Sequence, residues 1–352
     1  MLNDLKETSE INKVISGGYC IGCGACAVQD DSISIQESAM RMPQASLAHD
    51  SEQSNVCPFA SATSEDEIGR RLYESDSYFD KRVGFYLNNY VGHVHEYQYR
   101  SNASSGGMVT WILVELFKMG KIDGVIHVGE SHSKKEIFEY QVSETLEEIE
   151  KKSKSRYYPV HYEQALKKIL GNGKKYAFVG IPCFVKSIRL LAQANKQVEE
   201  SISYCISIFC GHSKTKAFSE MLAMQQGVAP EQISSIDFRV KNPKQPANRY
   251  NVQVSRKEQV NISRAKPSIP TRELYGLDWG LGYFKPKACD WCDDIVGETA
   301  DMSCGDAWLP ETVGDSLGNN IIVVRNRLFQ DILKEGFLSD KIALTPVSVD
   351  KV

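Results

Sequence analysis

Residues 175–195 read KYAFV-GIPC-FVKSIRLLAQAN. Lys175–Val179 is a short apolar run of strand length, Gly180-Ile181-Pro182-Cys183 is a turn, and Phe184–Asn195 has helical spacing. The same unit recurs on both sides. Downstream, Ile202–Phe209 reads as a strand that ends at Cys210-Gly211, and Thr215–Gln226 reads as a helix. Upstream, Ser104–Met119 reads as a buried amphipathic helix with a glycine-containing start, Ile122–Val128 as a strand and Tyr162–Leu170 as a helix. This alternation predicts an α/β domain with a largely parallel core. Beyond it, Ser234–Lys241 and Tyr250–Ser255 read as a strand pair, residues 256–288 as irregular, Ile321–Arg325 as a late strand and Leu328–Glu335 as a helix.

Composition narrows the function. The chain has 352 residues, 42% hydrophobic and 24% charged, which is globular and long enough for a sizeable core. A formal net charge of −4 argues against a nucleic-acid binder. No apolar run reaches spanning length, and the start (Met1-Leu2-Asn3-Asp4) is too polar for a secretory signal, so a cytoplasmic protein is expected. Residues 1–60 differ from the rest: they hold four cysteines and few aromatics, and Asp31–Asn55 is polar and loop-like. A segment that cannot build its own core needs a staple, which a metal centre supplies.

Ten cysteines are too few for a disulfide scaffold of this length, and in a reducing compartment they read as ligands, redox groups or core residues. Cys20, Cys23 and Cys26 are spaced C-x2-C-x2-C, with Cys57-Pro58 further on. Gly22 and Gly24 let the chain curl around one face of a cluster, and a proline after the last cysteine is the bacterial-ferredoxin pattern, so these four suit a [4Fe–4S] cluster. Tetrahedral zinc is the alternative. Cys289-Asp290-Trp291-Cys292 alone reads as a redox dithiol, half a zinc site or half a cluster site. Cys183 and Cys210 each follow a predicted strand at its carboxyl end, the edge where ligands gather in open α/β sheets, and with Cys289 and Cys292 they can complete a four-thiolate site. Cys205 reads as a core residue, and Cys304 as packing or close to a cofactor.

Several separated blocks are similar to the coenzyme F420 hydrogenase/dehydrogenase beta-subunit family: Ser104-Ser105-Gly106-Gly107, Ile122-Asp123-Gly124-Val125, Val179–Cys183, Phe209-Cys210-Gly211, Cys289-x2-Cys292, and Ala300-Asp301 with Gly305–Trp308. They cover roughly residues 80–330, and the first cysteine group resembles that family's ferredoxin-like module. The resemblance implies an α/β fold with an N-terminal ferredoxin-like iron–sulfur segment (residues 1–80) attached to a mixed α/β flavin-binding core (residues 81–352). It implies FAD at Ser104, Ser105, Gly106 and Gly107, with Thr110 nearby, and a core cluster on Cys183, Cys210, Cys289 and Cys292. Read from the residues alone, Ser104–Gly107 is a phosphate-binding helix start or a simple cap. The family often has Gly-Ser-Lys-Tyr where this chain has Lys154-Ser155-Arg156-Tyr157; Arg156 can still pair with a phosphate or the flavin.

Other residues carry less. His212, directly after Cys210-Gly211, is a candidate proton donor or a loop histidine; Asp306 and Trp308 either contact the flavin or substrate or order the last loop. His93-x-His95 reads as one face of an edge strand rather than a metal pair, and His49 has no assigned role. The basic run Lys151, Lys152, Lys154 and Arg156 is a solvated face or docks an acidic ferredoxin or a cofactor phosphate. The expected function is an iron–sulfur flavoprotein oxidoreductase that relays electrons from a ferredoxin-type one-electron carrier, through two [4Fe–4S] clusters and FAD, to a small organic substrate. The alternatives are F420 reduction or oxidation, an electron-transfer subunit bound to a partner subunit, or a zinc-binding interaction module.

Overall fold

The computed structural model describes residues 10–47, 53–75, 77–133, 135–257 and 267–352; His49 lies outside the described residues. The N-terminal part begins with two short helices, α1 (Glu10–Ser16) and α2 (Ala25–Gln29). Next comes an antiparallel hairpin, β1 (Ser34–Glu37) with β2 (Pro43–Ser46). This hairpin replaces part of the stretch expected to be loop: Pro43 and Ala45 alternate inward along β2, and that burial holds the polar segment in strand form. Helix α3 (Glu65–Tyr73) opens with a capping box, in which Ser64 accepts from the Glu67 N–H and the Glu67 carboxylate accepts from the Ser64 N–H. A small hairpin, β3 (Tyr78–Asp80) and β4 (Gly84–Tyr86), leads to the main sheet.

Strand β5 (Asn88–Val94), the short helix α4 (Tyr99–Asn102) and helix α5 (Met108–Lys118) precede β6 (Gly124–Glu130) and β7 (Phe138–Ser143). Then come α6 (Leu146–Lys151), α7 (Glu163–Ile169), β8 (Tyr176–Gly180), α8 (Pro182–Ala194), α9 (Lys196–Ser201), β9 (Ile202–Ile208) and α10 (Lys216–Gln225). A three-stranded antiparallel sheet follows: β10 (Ile233–Val240), β11 (Asn251–Arg256) and β12 (Ile269–Pro270). The chain ends with β13 (Met302–Asp306), β14 (Asn320–Val324), α11 (Arg327–Leu338) and β15 (Ile342–Pro346).

Eight strands form one sheet in the order β15-β5-β14-β13-β9-β8-β6-β7. Its centre, β13-β9-β8-β6, is parallel, but both flanks are antiparallel. The sheet is therefore mixed rather than largely parallel. Parallel neighbours need a crossover, supplied by helices between β6 and β8 and between β8 and β9, whereas a short loop joins β6 to β7, which pair antiparallel. All of β8 is buried, and its side chains alternate between two cores. Tyr176 and Phe178 face a core shared with α7, α8 and the N-terminal segment, which contributes Ile11, Ile21, Ala25, Val28 and Ile33. Ala177 and Val179 face α5 and α11 on the other side. A smaller core joins α10 to β10 and β11. No helix among the described residues is long and apolar enough to cross a membrane.

Helix α5 starts at Met108 rather than Ser104. Gly107 takes a left-handed φ of 87°, and the Met108 N–H is capped by Asn320 Oδ1 at 3.2 Å. Ser104–Gly107 instead lies flat against β14 and β5: a Cβ on Gly106 would stand 2.7 Å from the Gly92 carbonyl oxygen and 2.9 Å from the Asn320 nitrogen.

Two outcomes follow from this packing. Gly106→Ala forces backbone apart and should lower stability by roughly 1–3 kcal/mol, read from urea unfolding, whether or not any cofactor is added. Burial, with Asp294 second, pushes the Glu298 carboxyl up to about 8. The folded chain then holds a proton that the unfolded chain releases near its ordinary value of about 4.3. This contribution is complete below that pH and is lost as pH rises toward 8. The fall in melting temperature between pH 5 and pH 8 should shrink in Glu298→Gln.

Candidate metal centres and the adjoining cationic pocket

The Cys20–Cys26 loop curls at two glycines. Gly22 has φ 68° and Gly24 has φ 97°. A Cβ on Gly22 would sit 2.1 Å from the Pro43 carbonyl oxygen, so β2 closes the loop from outside. Cys20, Cys23, Cys26 and Cys57 line one cavity, otherwise walled by apolar residues such as Ile11, Val14, Tyr19 and Phe59. The four thiols affect one another. Burial, then Cys23, Cys20 and Cys57, drives the Cys26 thiol far up. Burial pushes Cys23 up to about 11 and Cys57 up to about 12. Four thiols in an apolar pocket cannot become thiolates together without a positive charge among them. That donor chemistry fits a metal cluster.

Cys183 is the second residue of α8, Cys210 follows β9, and Cys289 and Cys292 flank Trp291 in a loop. Burial raises the Cys183 thiol, followed by Cys210, Cys292 and Cys289, and then by Cys23 of the first group, so all four lie within electrostatic reach of Cys183. The Ser213 N–H donates to Cys289 Sγ at 3.4 Å. Cys205 and Cys304 stand apart as buried core residues of β9 and β13.

The residues around the start of α5 form a different environment. Ser104 Oγ accepts from the Ser155 N–H at 2.9 Å, and Ser105 Oγ donates to the Asn319 carbonyl at 2.7 Å. Thr110 is buried in the helix. The serine hydroxyls thus already have partners within the chain. Cations surround this loop. Lys241 donates to the carbonyl oxygens of Arg100, Ser105 and Leu317. Arg239, only 3% exposed, donates to the Ser104 carbonyl at 3.1 Å and forks onto both Asp306 oxygens at 2.9 Å. Burial, helped by Arg100, Arg239 and Lys154, pushes Lys241 down to about 7. Arg156 lies over the Phe138 ring at 5.1 Å, and its buried Nε has no partner among the described residues. Arg239, Arg100 and Lys154 pair with carboxylates, whereas Arg156 and Lys241 have no carboxylate partner among the described residues, which fits an anionic group.

His212 and Asp306 are held differently from each other. The His212 ring packs on Trp279 at 4.5 Å, and burial followed by Lys214 pushes it down to about 4, so it is neutral near pH 7. Asp306 is fully engaged by Arg239. His93 meets Asn319 at 2.7 Å and His95 faces Asp340 at 3.4 Å; β5 lies between β15 and β14 rather than at the edge. In the basic run, Lys152 donates to Ser143 at 2.7 Å and Lys154 pairs with Asp237.

Known proteins resemble this chain in sequence and in fold. The profile for the C-terminal part of the coenzyme F420 hydrogenase/dehydrogenase beta subunit matches residues 173–350, and the profile for its N-terminal part matches residues 89–167. The chain belongs to this family. A coenzyme F420-dependent sulfite reductase of Methanocaldococcus jannaschii is 24% identical over 93% of this family member, which spans 48% of that enzyme. An uncharacterised protein of the same organism is 26% identical over 66% of the chain and is covered over 59% of its own length. The chain thus spans about half the length of these relatives. A chain of the F420-reducing [NiFe] hydrogenase complex from Methanosarcina barkeri shares the fold, with a TM-score of 0.57 and 17% identity over 77% of this chain and 85% of that one.

Sequence reasoning missed Arg239, Lys241 and Trp279. Arg239 also donates to the Tyr157 hydroxyl at 3.2 Å, and Tyr157 packs on Trp279 at 4.9 Å. Arg239, Lys241 and Trp279 belong to no short motif; β10, the residue after it and the loop before Cys289 carry them to the cleft from far along the chain. Asp306→Ala leaves Arg239 buried without its carboxylate. Stability should fall on the order of 2–4 kcal/mol in urea unfolding, whereas Asp306→Glu should recover part of the loss.

Proposed function

We propose that this family member is an iron–sulfur flavoprotein oxidoreductase that transfers electrons between a one-electron protein partner and coenzyme F420. The observation that carries this reading is the pair of four-thiol groups, the first lining one cavity and the second within electrostatic reach of Cys183. Cys20, Cys23, Cys26 and Cys57 would hold one [4Fe–4S] cluster, and Cys183, Cys210, Cys289 and Cys292 the other. Among the described residues no three Cys, His, Asp or Glu side chains converge tightly enough for a single ion. When bound, clusters supply one-electron transfer and a flavin supplies paired-electron hydride chemistry.

The chain's own residues have distinct tasks in this reading. Arg156, next to the Ser155 that bonds Ser104, together with Lys241 and the Arg100 and Lys154 near it, would hold the phosphates of FAD beside Ser104–Gly107 and Thr110. Asp306 orients Arg239, and Arg239 anchors the Ser104 carbonyl, so this pair keeps the loop in place. Neutral His212 and Trp279 form the wall between this pocket and Cys289. Trp291 is 73% exposed between Cys289 and Cys292, and its ring meets Tyr19, next to Cys20. That apolar surface over both thiol groups is where a one-electron carrier, such as a ferredoxin or a partner subunit, would make contact. F420 is favoured over other small substrates by the kinship with the F420-dependent sulfite reductase.

Anaerobically purified protein should contain about eight iron and eight labile sulfide per chain, four for each thiol group, with one FAD. Cys23→Ser and Cys289→Ser should each remove about half of the iron. F420 should be reduced or oxidised by the pure protein with an artificial one-electron donor or acceptor. A colourless, folded preparation that holds zinc and no sulfide overturns the reading; full iron with no F420 turnover shifts the substrate to another small organic molecule.

A further inference from the structure

Lys214 is a buried cation without a counter-charge. It is only 1% exposed. Its ammonium donates to the Tyr283 carbonyl at 2.6 Å and lies 4.5 Å from the centre of the Trp279 ring and 5.1 Å from that of Phe218. Its neighbours are paired: Lys216 with Glu37 and Glu136, and Lys285 with Asp290. Lys214 has no carboxylate partner among the described residues. Taking an ammonium out of water is costly, and one carbonyl and two ring faces return only part of that cost. An ammonium kept on those terms needs negative charge from another source.

The chain on either side of Lys214 is fastened to the segment that leads to Cys289. The Ser213 N–H donates to Cys289 Sγ at 3.4 Å, and the Thr215 N–H donates to the Phe284 carbonyl at 3.0 Å. Lys214 stands between these two contacts, and its own ammonium bonds the same segment at Tyr283. Trp279, whose ring lies against the ammonium, belongs to that segment as well. Backbone and side chain thus fix this charge beside the second thiol group. Burial pushes the Cys289 thiol up, and the Ser213 N–H, Lys285 and Lys214 draw it back, which agrees with that placement.

Four thiolates around a [4Fe–4S] core carry a net negative charge, and one more electron adds to it. A positive charge fixed nearby, behind rings that keep water out, is screened little. It stabilises the reduced cluster more than the oxidised one, because the reduced cluster carries more negative charge. The cluster in turn supplies the counter-charge that Lys214 lacks.

We propose that Lys214 is the internal counter-ion of a cluster held by Cys183, Cys210, Cys289 and Cys292, and that its charge raises the reduction potential of that cluster. This rests on the cluster reading given above. Lys214 makes no bond to iron in this role: one electron enters the cluster, and the ammonium keeps its protons.

The test uses the full chain, purified anaerobically and kept near neutral pH, in a Cys23→Ser background that isolates the second cluster. Iron and sulfide are measured first. Folded background protein without either overturns the cluster reading of these four cysteines, and this inference with it. Where the Cys23→Ser chain does not fold, both clusters are titrated together in the otherwise unchanged chain. In loaded protein, Lys214→Met, which keeps the length of the side chain and removes the charge, is compared by redox titration followed by electron paramagnetic resonance. The expected result is a fall in potential equivalent to roughly a tenfold loss in the reduced-to-oxidised ratio, about 59 mV for a one-electron couple. Lys214→Arg, which keeps the charge, should stay near the value measured with Lys214. An unchanged potential in loaded Lys214→Met overturns the proposal, and so does an equal fall in Lys214→Arg, which would mark packing rather than charge. If Lys214→Met does not take up the cluster, Lys214→Arg decides: about four iron retained supports the counter-ion role, and loss in both variants overturns it.

Discussion

Thiols gathered in an apolar pocket oppose ionisation twice, through lost hydration and through mutual repulsion. Eight cysteines of this chain are under that constraint, four in each group. Much of the surrounding structure serves to hold them there. Gly22 and Gly24 give the Cys20–Cys26 loop its curl, and β2 closes it. The Ser213 N–H meets Cys289 Sγ, while Lys285 and Lys214 draw Cys289 back toward ionisation. The N-terminal segment has no separate core: its apolar residues pack with α7, α8 and the sheet. Holding the first thiol group and holding that segment onto the sheet are one packing problem.

A second constraint is the concentration of positive charge around Ser104–Gly107. Lys241 and Arg239 bind backbone carbonyls there, so the loop is shaped by cations as well as by its own serines. Asp306 answers one of these charges with a bidentate pair, the geometry in which guanidinium and carboxylate match best. Lys214, buried against Trp279 and Phe218 with its ammonium on the Tyr283 carbonyl, adds a further cation near Cys289. Thiol groups and cationic loop lie on the same side of the sheet's parallel strands, near the carboxyl ends of β8, β9 and β13, where open α/β sheets leave room for ligands.

Local patterns read from the chain were reliable where they reflected burial. The strand–turn–helix at residues 175–195 is present as β8 and α8, and the strand pair near residues 234–255 is present as β10 and β11. The errors have physical causes. Helix α5 begins late because Gly107 turns left-handed and Asn320, more than two hundred residues away, supplies the cap. The β1–β2 hairpin was not visible because its inward residues are few and small. The edge strand β7 runs antiparallel because the short return from β6 pairs that way, a feature of connection rather than composition.

The sequence by itself determined the α/β alternation, the spacing of the two cysteine motifs and the kinship carried by Ser104–Gly107, Val179–Cys183 and Gly305–Trp308. These are local properties, set by periodicity and by residue types that chemistry permits at short spacing. Only the tertiary structure decided that Cys57 joins Cys20, Cys23 and Cys26 in one pocket and that Tyr162, paired with Ser187, bonds the Cys23 backbone. It also decided that Arg239 reaches across from β10 to Ser104 and Asp306. Such contacts join residues tens to hundreds of positions apart. They are chosen by how helices and sheet bury their apolar faces together, and no short stretch of chain carries that choice.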